Sequence, residues 1–485
     1  MAEKVISPGV FTNEIDQTFL PSAVANIGAA LIGPTVKGPA LVPTVVTSFA
    51  EYQQKFGDAF KSGSTQVQFL TSHTAEQYLR NSDTLTVVRI MDGAFAPATA
   101  SVMTSSAAGD ITEDGRSGVS FQLTTLADGT IMNNSDTTAR TNNILISGSK
   151  HNIRYEVSNI NKKRGTFTLL IRRGDDTHKR KQILETYNNV TLDPNSTNFI
   201  SKMVGDQVQT LRFDSGKPFL QLSGSYPNKS KYVRVDSVSE TVDYLDENGT
   251  IRVNAASSSL PHSGSGSFNG GFAGGADGFS GFDALGNHNG TRTGVKPANF
   301  YENITENNTQ GFDPTAATEG LSSYQEALDL LSNQDEYDIN LILTPGIVSK
   351  LHTTVASKII DVCEERADCF AILDPVPYSS NVTEVTAEAE TRDSNFAAVY
   401  WPWIKVPDTL VSGTQRWVPP SVVLGGIYAF NDRVAHPWFA PAGFARGALN
   451  SVEMASVRLN RTNLDDLYEA DINPITAFPG TGEPS

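Results

Sequence analysis

The sequence is poor in cysteine, with only Cys363 and Cys369 among 485 residues. Two thiols are too few for the disulfide framework of a small secreted protein. Cys363 falls in a predicted helix and Cys369 begins a predicted strand. We therefore expect two buried free thiols rather than a bridge, in a protein made in a reducing compartment.

Basic side chains are also in deficit, because 37 lysines and arginines face 53 acidic residues, for a net charge of -16. Broad nucleic-acid binding needs a basic face, so this balance argues against a nucleic-acid partner. No apolar run approaches the length of a membrane span. The first residues, MAEKVISPGVF, lack the apolar core of a signal peptide. We therefore expect no membrane binding by the chain itself.

Catalytic and metal-binding motifs are missing as well. The seven histidines are scattered, and none pairs at i, i+4 or neighbours a cysteine at zinc-ligand spacing. No Gly-x-Ser-x-Gly elbow occurs. The turn after Gly33 has prolines and no Gly-Lys-Ser/Thr, and Gly264-Ser265-Gly266 lacks the further spaced glycine of a nucleotide cradle. The sequence predicts no catalytic residue, no cofactor and no metal site, and the chain is predicted not to be an enzyme.

Three residues leave alternatives open. Asp374 follows a predicted buried strand, where α/β enzymes keep catalytic groups. We favour a turn at Asp374-Pro375, in which the carboxylate bonds nearby amides. Trp401 and Trp403 flank Pro402. They could stack on a ligand, but core packing or a subunit contact is the commoner use of such aromatics.

The second half of the chain alternates apolar runs with helical segments. The runs have the composition of buried strands, and their alternation predicts a mixed α/β layer. In chain order they are strand Ile339–Leu343, a helix from Val348 to about Arg366, strand Cys369–Leu373, helix Val382–Ser394, and strand Phe396–Val406 interrupted at Pro402. The period of Val422–Phe430 does not distinguish helix from strand, whereas Asn463–Ala470 is predicted helical and Asn473–Phe478 extended.

The first part of the chain alternates in the same way. We predict strands at Ala25–Gly33, Pro43–Val46 and Leu85–Ile90, and helices at Phe49–Phe56 and Gln66–Asn81. Ser48 stands where an N-cap of the first helix is needed.

The middle of the chain is rich in Ser, Thr, Gly and Asn and predicts a β-rich insertion. Its predicted strands are Val119–Leu123, Asn143–Ile146, Ile153–Val157, Phe167–Ile171, Val208–Phe213, Phe219–Ser223 and Tyr232–Val235. It carries a basic cluster between residues 162 and 181, which indicates either an anionic partner or a solvated hairpin face, and we favour the latter. The stretch 256–290 has the composition of a flexible loop. An amphipathic helix is predicted at Ser322–Leu331.

These shifts predict the domain organisation. Residues 1–20 form an extended arm, and 21–92 with 320–485 form a discontinuous α/β core. Residues 93–190 form an inserted β-rich domain, and 191–319 a second inserted region. The fold class is α+β or mixed α/β, multidomain. The arm carries large apolar groups that need a partner surface: Val5, Ile6, Val10, Phe11 and Ile15.

Several motifs occur in one order and spacing over more than a hundred residues. They are Phe370–Pro375, Asp393–Trp403, Val418–Ser421 with Gly425-Gly426, and Ala440–Gly443, preceded by weaker ones at Ser7–Glu14 and Glu185–Asp206. This pattern resembles the tail sheath proteins of contractile-tailed bacteriophages. In that family the segment matching Val422–Phe430 is helical, and the N-terminal arm adds a strand to a neighbouring subunit's sheet.

The resemblance implies a structural subunit that assembles in hexameric rings stacked around the tail tube. Contraction by subunit rearrangement then drives the tube through the host envelope, without nucleotide. The implied partners are other copies, the tail tube protein, and the baseplate and tail terminator proteins. The implied location is the virion tail, with assembly in the host cytoplasm. The alternatives are the sheath of a related injection or secretion machine, an α/β enzyme with a β insertion, and a β-rich adhesin.

One family feature is missing from the pattern. In sheath proteins the motif at Asn473–Gly482 is followed by a further strand, a helix and a C-terminal arm, whereas this sequence ends at Ser485. The resemblance therefore predicts a chain that lacks its C-terminal segment. Such a chain is expected to be mostly monomeric until a family-like extension is restored.

Overall fold

The computed structural model describes residues 28–62, 65–91, 93–104, 119–134, 145, 147–252, 260–261, 268–278, 304–317, 320–410, 413–436 and 438–477. Over these ranges, no helix combines the length and the apolar character needed to cross a membrane. The predicted arm residues Val5, Ile6, Val10, Phe11 and Ile15 lie outside the described residues.

Strands and helices alternate in the first described part of the chain. They are β1 Gly28–Gly33, β2 Thr44–Val46, α1 Phe49–Phe56, β3 Ala59–Ser62, β4 Thr65–Gln68, α2 Leu70–Leu79 and β5 Leu85–Arg89. The side chain of Ser48 accepts a hydrogen bond from the amide of Glu51, which confirms the predicted N-cap of α1. The predicted helix 66–81 is wrong at its start, because Thr65–Gln68 pairs as a strand with Ala59–Ser62.

The middle of the chain is built mainly of antiparallel strands. The elements are β6 Phe95–Met103, β7 Val119–Asp128, a 3-10 helix Thr130–Met132, β8 Ile153–Asn161, β9 Thr166–Arg173, β10 Ile183–Thr191, α3 Ile200–Val204, β11 Val208–Asp214, β12 Lys217–Ser223, β13 Val233–Val238, β14 Phe268–Gly270 and β15 Ala276–Asp277. Two four-stranded sheets form, with strand orders β10-β9-β8-β14 and β13-β7-β6-β15. Phe121 of one sheet stacks on Phe167 of the other, at 5.5 Å between ring centroids, so the two sheets share a core.

Of two further predictions for the middle of the chain, one needs correction and the other lies mostly outside the described residues. Stretch 256–290 is not one continuous loop, because β14 pairs with β8 and β15 pairs with β6. These short strands close the edges of the two sheets, a long-range pairing that glycine-rich composition does not reveal. The predicted strand Asn143–Ile146 lies outside the described residues except for Leu145, which has no regular structure.

The last part of the chain returns to alternating helices and strands. They are α4 Leu321–Leu331, β16 Ile339–Val348, α5 Thr353–Arg366, β17 Phe370–Asp374, α6 Val382–Ala389, β18 Ala397–Trp401, β19 Ile404–Pro407, β20 Gln415–Val418, α7 Ser421–Val434, α8 Gly443–Arg446, β21 Met454–Ala455, α9 Arg461–Glu469 and β22 Asn473–Pro474. The segment Val422–Phe430, whose period did not distinguish helix from strand, is thus helical and lies in α7. The strand predicted to end at Leu343 continues through Pro345 and Gly346 to Val348.

One seven-stranded sheet joins the two ends of the described chain, in the order β2-β5-β1-β16-β17-β18-β22. Strand β1 lies parallel between β5 and β16, with Ala29 beside both Leu85 and Leu341. Strand β2 runs antiparallel to β5 at one edge. The mixed α/β fold class is confirmed, while the domain boundaries drawn from composition stay a prediction.

Helices cover both faces of this sheet. On one face Leu31 and Leu343 belong to the same core as Leu70 of α2 and Val422 of α7. On the other face Ile32 and Ile342 share a core with residues of α4 and α5, including Tyr324 and Ile359. Burial on both faces explains the continuous apolar runs of these strands. Each buried Leu or Ile side chain contributes about 1.5–3 kcal/mol to folding.

Candidate functional site

Asp374, the candidate catalytic carboxylate, ends strand β17 and is only 1% exposed. Its Oδ1 accepts a hydrogen bond from the backbone amide of Ser421, at 3.0 Å, and its Oδ2 accepts one from the Ser421 hydroxyl, at 2.6 Å. Burial raises the pKa of Asp374 to about 7, against the lowering effect of the two Ser421 hydrogen bonds. The carboxyl group thus ties the end of a central strand to the first turn of α7.

The prediction that the Asp374 carboxylate bonds nearby amides of its own turn is therefore wrong. The amide that the carboxyl group binds belongs to Ser421, 47 positions along the chain, not to the residues after Pro375. Only tertiary folding brings the two residues together, so no local signal could reveal the contact. Ser421 is 1% exposed as well, so neither oxygen is accessible to a substrate. This pair supports the start of α7.

The described histidines do not assemble a site either. His73, His151 and His352 have their pKa values lowered, chiefly by burial, to about 3, 3 and 4. The ring of His352 accepts the Val348 amide at Nδ1 and donates from Nε2 to the Thr305 carbonyl, both at 3.0 Å, so it fastens a loop to the end of β16. Throughout the part of the chain that the structure describes, no three His, Cys, Asp or Glu side chains form a group able to hold a metal.

Trp401 and Trp403 are buried, at 2% exposure each. The indole of Trp403 donates to the Val376 carbonyl at 3.0 Å, and Tyr378 packs against it edge-on. The peptide bond between Trp401 and Pro402 is cis. Their use in core packing is confirmed, and neither ring is available to stack on a ligand.

The basic cluster is divided by the fold. Residues 162–164 lie in the turn between β8 and β9, and residues 179–181 lie beyond the opposite end of β9. Arg172, between them, is fully buried and pairs with Asp176 and Glu156 at 2.7 Å. The solvated-face interpretation is therefore wrong for Arg172 and fits the exposed Lys162, Lys163 and Arg164. Alternation along β9 places Arg172 on the face opposite Phe167, where buried acidic partners neutralise it.

The outer edge of strand β18 is partly open. Strand β22 pairs with it only at Tyr400 and Trp401. Ala397 and Ala398 have no neighbouring strand on that side within the described ranges. Beside this edge is a cavity of about 460 Å³, lined by residues that include Ile360, Ala397 and Val399. An extended segment could add to this edge through main-chain hydrogen bonds.

A second candidate surface was missed at the sequence level. From the last residue of α7 to the start of α8, four large apolar side chains are exposed: Val434 by 53%, Trp438 by 77%, Phe439 by 43% and Phe444 by 55%. We call these four residues the aromatic segment. His436 stacks on Trp438 at 4.4 Å, and the Asn431 side chain holds the Phe439 carbonyl at 2.9 Å. The segment has no helical or strand period, so only the absence of a core role in the structure identifies it.

These observations describe a mixed α/β fold in which the candidate catalytic residues named above do not assemble a site and two candidate interaction surfaces are exposed. Residues 320–482 match the family described as the phage tail sheath protein central domain. This part of the chain, which builds the larger share of the parallel sheet, is therefore similar to the central domain of tail sheath proteins. Tail sheath proteins are structural proteins and not enzymes.

Two curated relatives are named tail sheath protein. The one from Vibrio phage KVP40 is 26% identical over 195 residues, which are 34% of this chain and 28% of the relative. The one from Enterobacteria phage T4 is 25% identical over 181 residues, 32% of this chain and 27% of the relative. The alignments thus span less than a third of either relative. The solved sheath tail protein of Listeria innocua aligns with a TM-score of 0.46 and 12% identity, over 94% of this chain and 67% of that one.

Proposed function

We propose that the chain is the structural subunit of a contractile phage tail sheath. The observation that carries this proposal is the match of residues 320–482 to the sheath central domain. Subunits assemble as hexameric rings stacked helically around the tail tube, and they contract by rearranging to drive the tube through the host envelope. The partners are other copies, the tube protein, and the baseplate and tail terminator proteins. The finished subunit resides in the virion tail after assembly in the host cytoplasm.

The energy for contraction comes from interfaces with two stable arrangements, so no nucleotide is consumed. A trigger at one end biases such a system, and each rearranged subunit favours the same change in its neighbours. This mechanism needs rigid bodies joined by exchangeable contacts. The seven-stranded sheet, covered by helices on both faces, supplies the rigid body.

We assign two surfaces to these exchangeable contacts. The open edge of β18 accepts an extended terminal arm from another copy, by strand addition. The arm predicted from sequence is the segment with Val5, Ile6, Val10, Phe11 and Ile15. The aromatic segment supplies the second contact, because exposed aromatic and apolar groups of this kind mark protein-protein surfaces.

The test is decoration of polymerised tail tubes of the same virus by the purified chain, viewed by negative-stain electron microscopy. We expect six-fold rings around the tubes. The Trp438→Ser, Phe444→Ser double variant should decorate poorly. Tyr468→Ser is the matched control, because Tyr468 is 82% exposed and lies in α9, outside the aromatic segment. Bare tubes at all protein concentrations would contradict the proposed function. Equal decoration by both variants would exclude only the role of the aromatic segment as a contact surface.

A further inference from the structure

The cavity beside the open edge of β18 has an apolar floor. Ala397 and Val399 lie two positions apart on β18 and therefore share one face of the sheet, and Leu373 is the neighbour of Val399 on β17. Ile360 of α5 lines the cavity from the same side, and all four residues pack against one core. A surface of this kind can cover the hydrocarbon part of a long side chain.

The rest of the lining is mainly acidic. Five acidic residues and one arginine line the cavity: Glu388, Glu390, Asp393, Glu469, Asp471 and Arg392. The arginine pairs with Glu388 at 3.2 Å, so four acidic residues remain in excess. The charge of the lining therefore favours a cation.

A buried hydroxyl is a separate sign that the cavity takes a ligand. Ser349 lines the cavity and is 1% exposed, and its hydroxyl has no hydrogen-bond partner among the described residues. Its carbonyl, by contrast, accepts from the Arg392 side chain at 3.2 Å. Because a buried hydroxyl without a partner is unfavourable, it marks a position for a polar group from outside the described chain.

The strand edge next to the cavity indicates what kind of ligand fits. An extended chain that adds to β18 would turn every second side chain towards the cavity. The acidic lining then calls for a basic side chain, and the apolar floor calls for an apolar one two positions away. Lysine suits both parts, because its stem lies on apolar surface while the ammonium group stays at a polar rim.

The segment Lys4-Val5-Ile6 has this pattern, and it lies outside the described residues. None of the other lysines and arginines outside the described ranges has a large apolar residue two positions away; they are Arg116, Arg140, Arg292 and Lys296. The sequence therefore singles out one occupant.

We propose that the cavity binds the Lys4 side chain of a second copy, whose residues 3–7 add to the β18 edge with Lys4 and Ile6 facing the cavity. The inference rests on the strand addition proposed above and gives it a register. Glu3 and Val5 face the other way, so the acidic neighbour of Lys4 is kept from the acidic lining. The cavity thus selects which part of the arm pairs with the edge.

Fluorescence anisotropy of a labelled peptide of residues 1–12, titrated with the full chain, tests the proposal. A peptide in which Glu3 and Lys4 are exchanged is the matched control, because its composition and net charge are the same but it presents a glutamate to the cavity. We expect the exchanged peptide to bind about fivefold or more weakly at low ionic strength, a difference that added salt reduces.

Charge reversal in the cavity gives the reciprocal test. The Glu469→Lys, Asp471→Lys double variant should bind the natural peptide more weakly by about the same factor, and it should bind the exchanged peptide more tightly than wild type does. Asp465→Lys, Asp466→Lys is the control, because both residues lie in α9 but do not line the cavity. It should bind both peptides as wild type does.

Equal binding of the natural and exchanged peptides, or no binding of the natural peptide at millimolar concentration, would overturn the proposal. Binding of cadaverine without binding of the peptide would identify a free aliphatic cation as the occupant and overturn it equally. Decoration of tail tubes is measured separately. Tubes that are still decorated when the peptides are not distinguished would therefore reject this inference and leave the proposed function standing.

Discussion

The carboxyl group of Asp374 shows how one buried residue joins distant segments. It accepts both hydrogen bonds that Ser421 offers, and its pKa is raised to about 7 because the site is buried. The native protein therefore holds this proton more tightly than the unfolded chain, where an aspartate has a pKa of about 3.9. The stabilisation from the protonated group is fully present below pH ~4 and is lost as the pH rises through about 7.

We expect Asp374→Asn to be more stable than wild type at pH 8, by roughly 2–4 kcal/mol, because the amide stays neutral and can still bond Ser421. The difference should shrink towards zero as the pH falls to about 4. Urea unfolding across this pH range measures it. Parallel stability profiles for the two proteins would show that Asp374 does not titrate as described. Asp374→Ala leaves the Ser421 amide without its acceptor, so it should be less stable than Asp374→Asn at every pH.

A second residue-scale prediction concerns Arg172. Its guanidinium bonds Asp176 through two nitrogens, at 2.7 and 2.8 Å, and Glu156 through the third, at 2.7 Å. Arg172→Met would leave two buried carboxylates without this partner, so we expect a loss of about 3–5 kcal/mol in unfolding free energy. Lys181→Met is the matched control. Lys181 pairs with the same Glu156 but its side chain is 29% exposed, so its loss should cost about 1 kcal/mol or less. Equal losses in unfolding free energy for the two variants would mean that burial does not account for the stabilisation by the Arg172 ion pairs.

Among the elements, helices α2 and α7 pack so closely that one position requires glycine. A Cβ on Gly426 would stand 2.6 Å from the carbonyl oxygen of Gln77 in α2. The Gly426 carbonyl also accepts from the Asn81 side chain at 3.0 Å. The small residues after the Val-Pro-Pro-Ser motif thus set the distance between the two helices that cover one face of the sheet.

Gly426→Ala should therefore destabilise the protein by about 1–3 kcal/mol, because the helices must separate or bend. The sign of the change in unfolding free energy is diagnostic, because a glycine-to-alanine substitution inside an unhindered helix stabilises the protein by about 1 kcal/mol. The midpoint of urea unfolding reports the change. Arg433→Ala, at an exposed position of α7, should shift stability by less than about 0.5 kcal/mol.

Across the whole molecule, stability is distributed unevenly. Strands β1, β16 and β17 lie inside the seven-stranded sheet, and most of their residues are buried. The hairpin β11–β12 is a two-stranded sheet of its own and exposes Phe213 by 57% and Leu222 by 55%. Leu211 packs against the core, but a two-stranded sheet with little such burial is marginally stable in water.

We expect backbone amides of β1, β16 and β17 to exchange with deuterium slowest, at the rate set by global unfolding. Amides of β11 and β12 should exchange faster by several orders of magnitude, because local opening suffices. Mass-spectrometric hydrogen exchange on the monomer measures both. A hairpin as well protected as the central strands would mean that further contacts cover it.

The sequence by itself determined the element types wherever one period dominated. Leu85–Arg89, Leu321–Leu331 and the capped helix Phe49–Phe56 were predictable, because each buries an apolar face of its own and signals its ends locally. The mixed α/β class followed from their alternation, and the family resemblance came from motifs that recur in order. Strand Thr65–Gln68 was hidden because Val67 is its only apolar residue and its pairing with Ala59–Ser62 forms only in the fold.

Only the tertiary structure decided which distant residues meet. The Asp374–Ser421 contact and the buried ion pair of Arg172 with Glu156 both depend on geometry between segments. A carboxylate or guanidinium carries no mark in the sequence that says whether its partner will be water or a buried group. The exposure of the aromatic segment is decided in the same way, because only the completed fold determines how much of each side chain is covered.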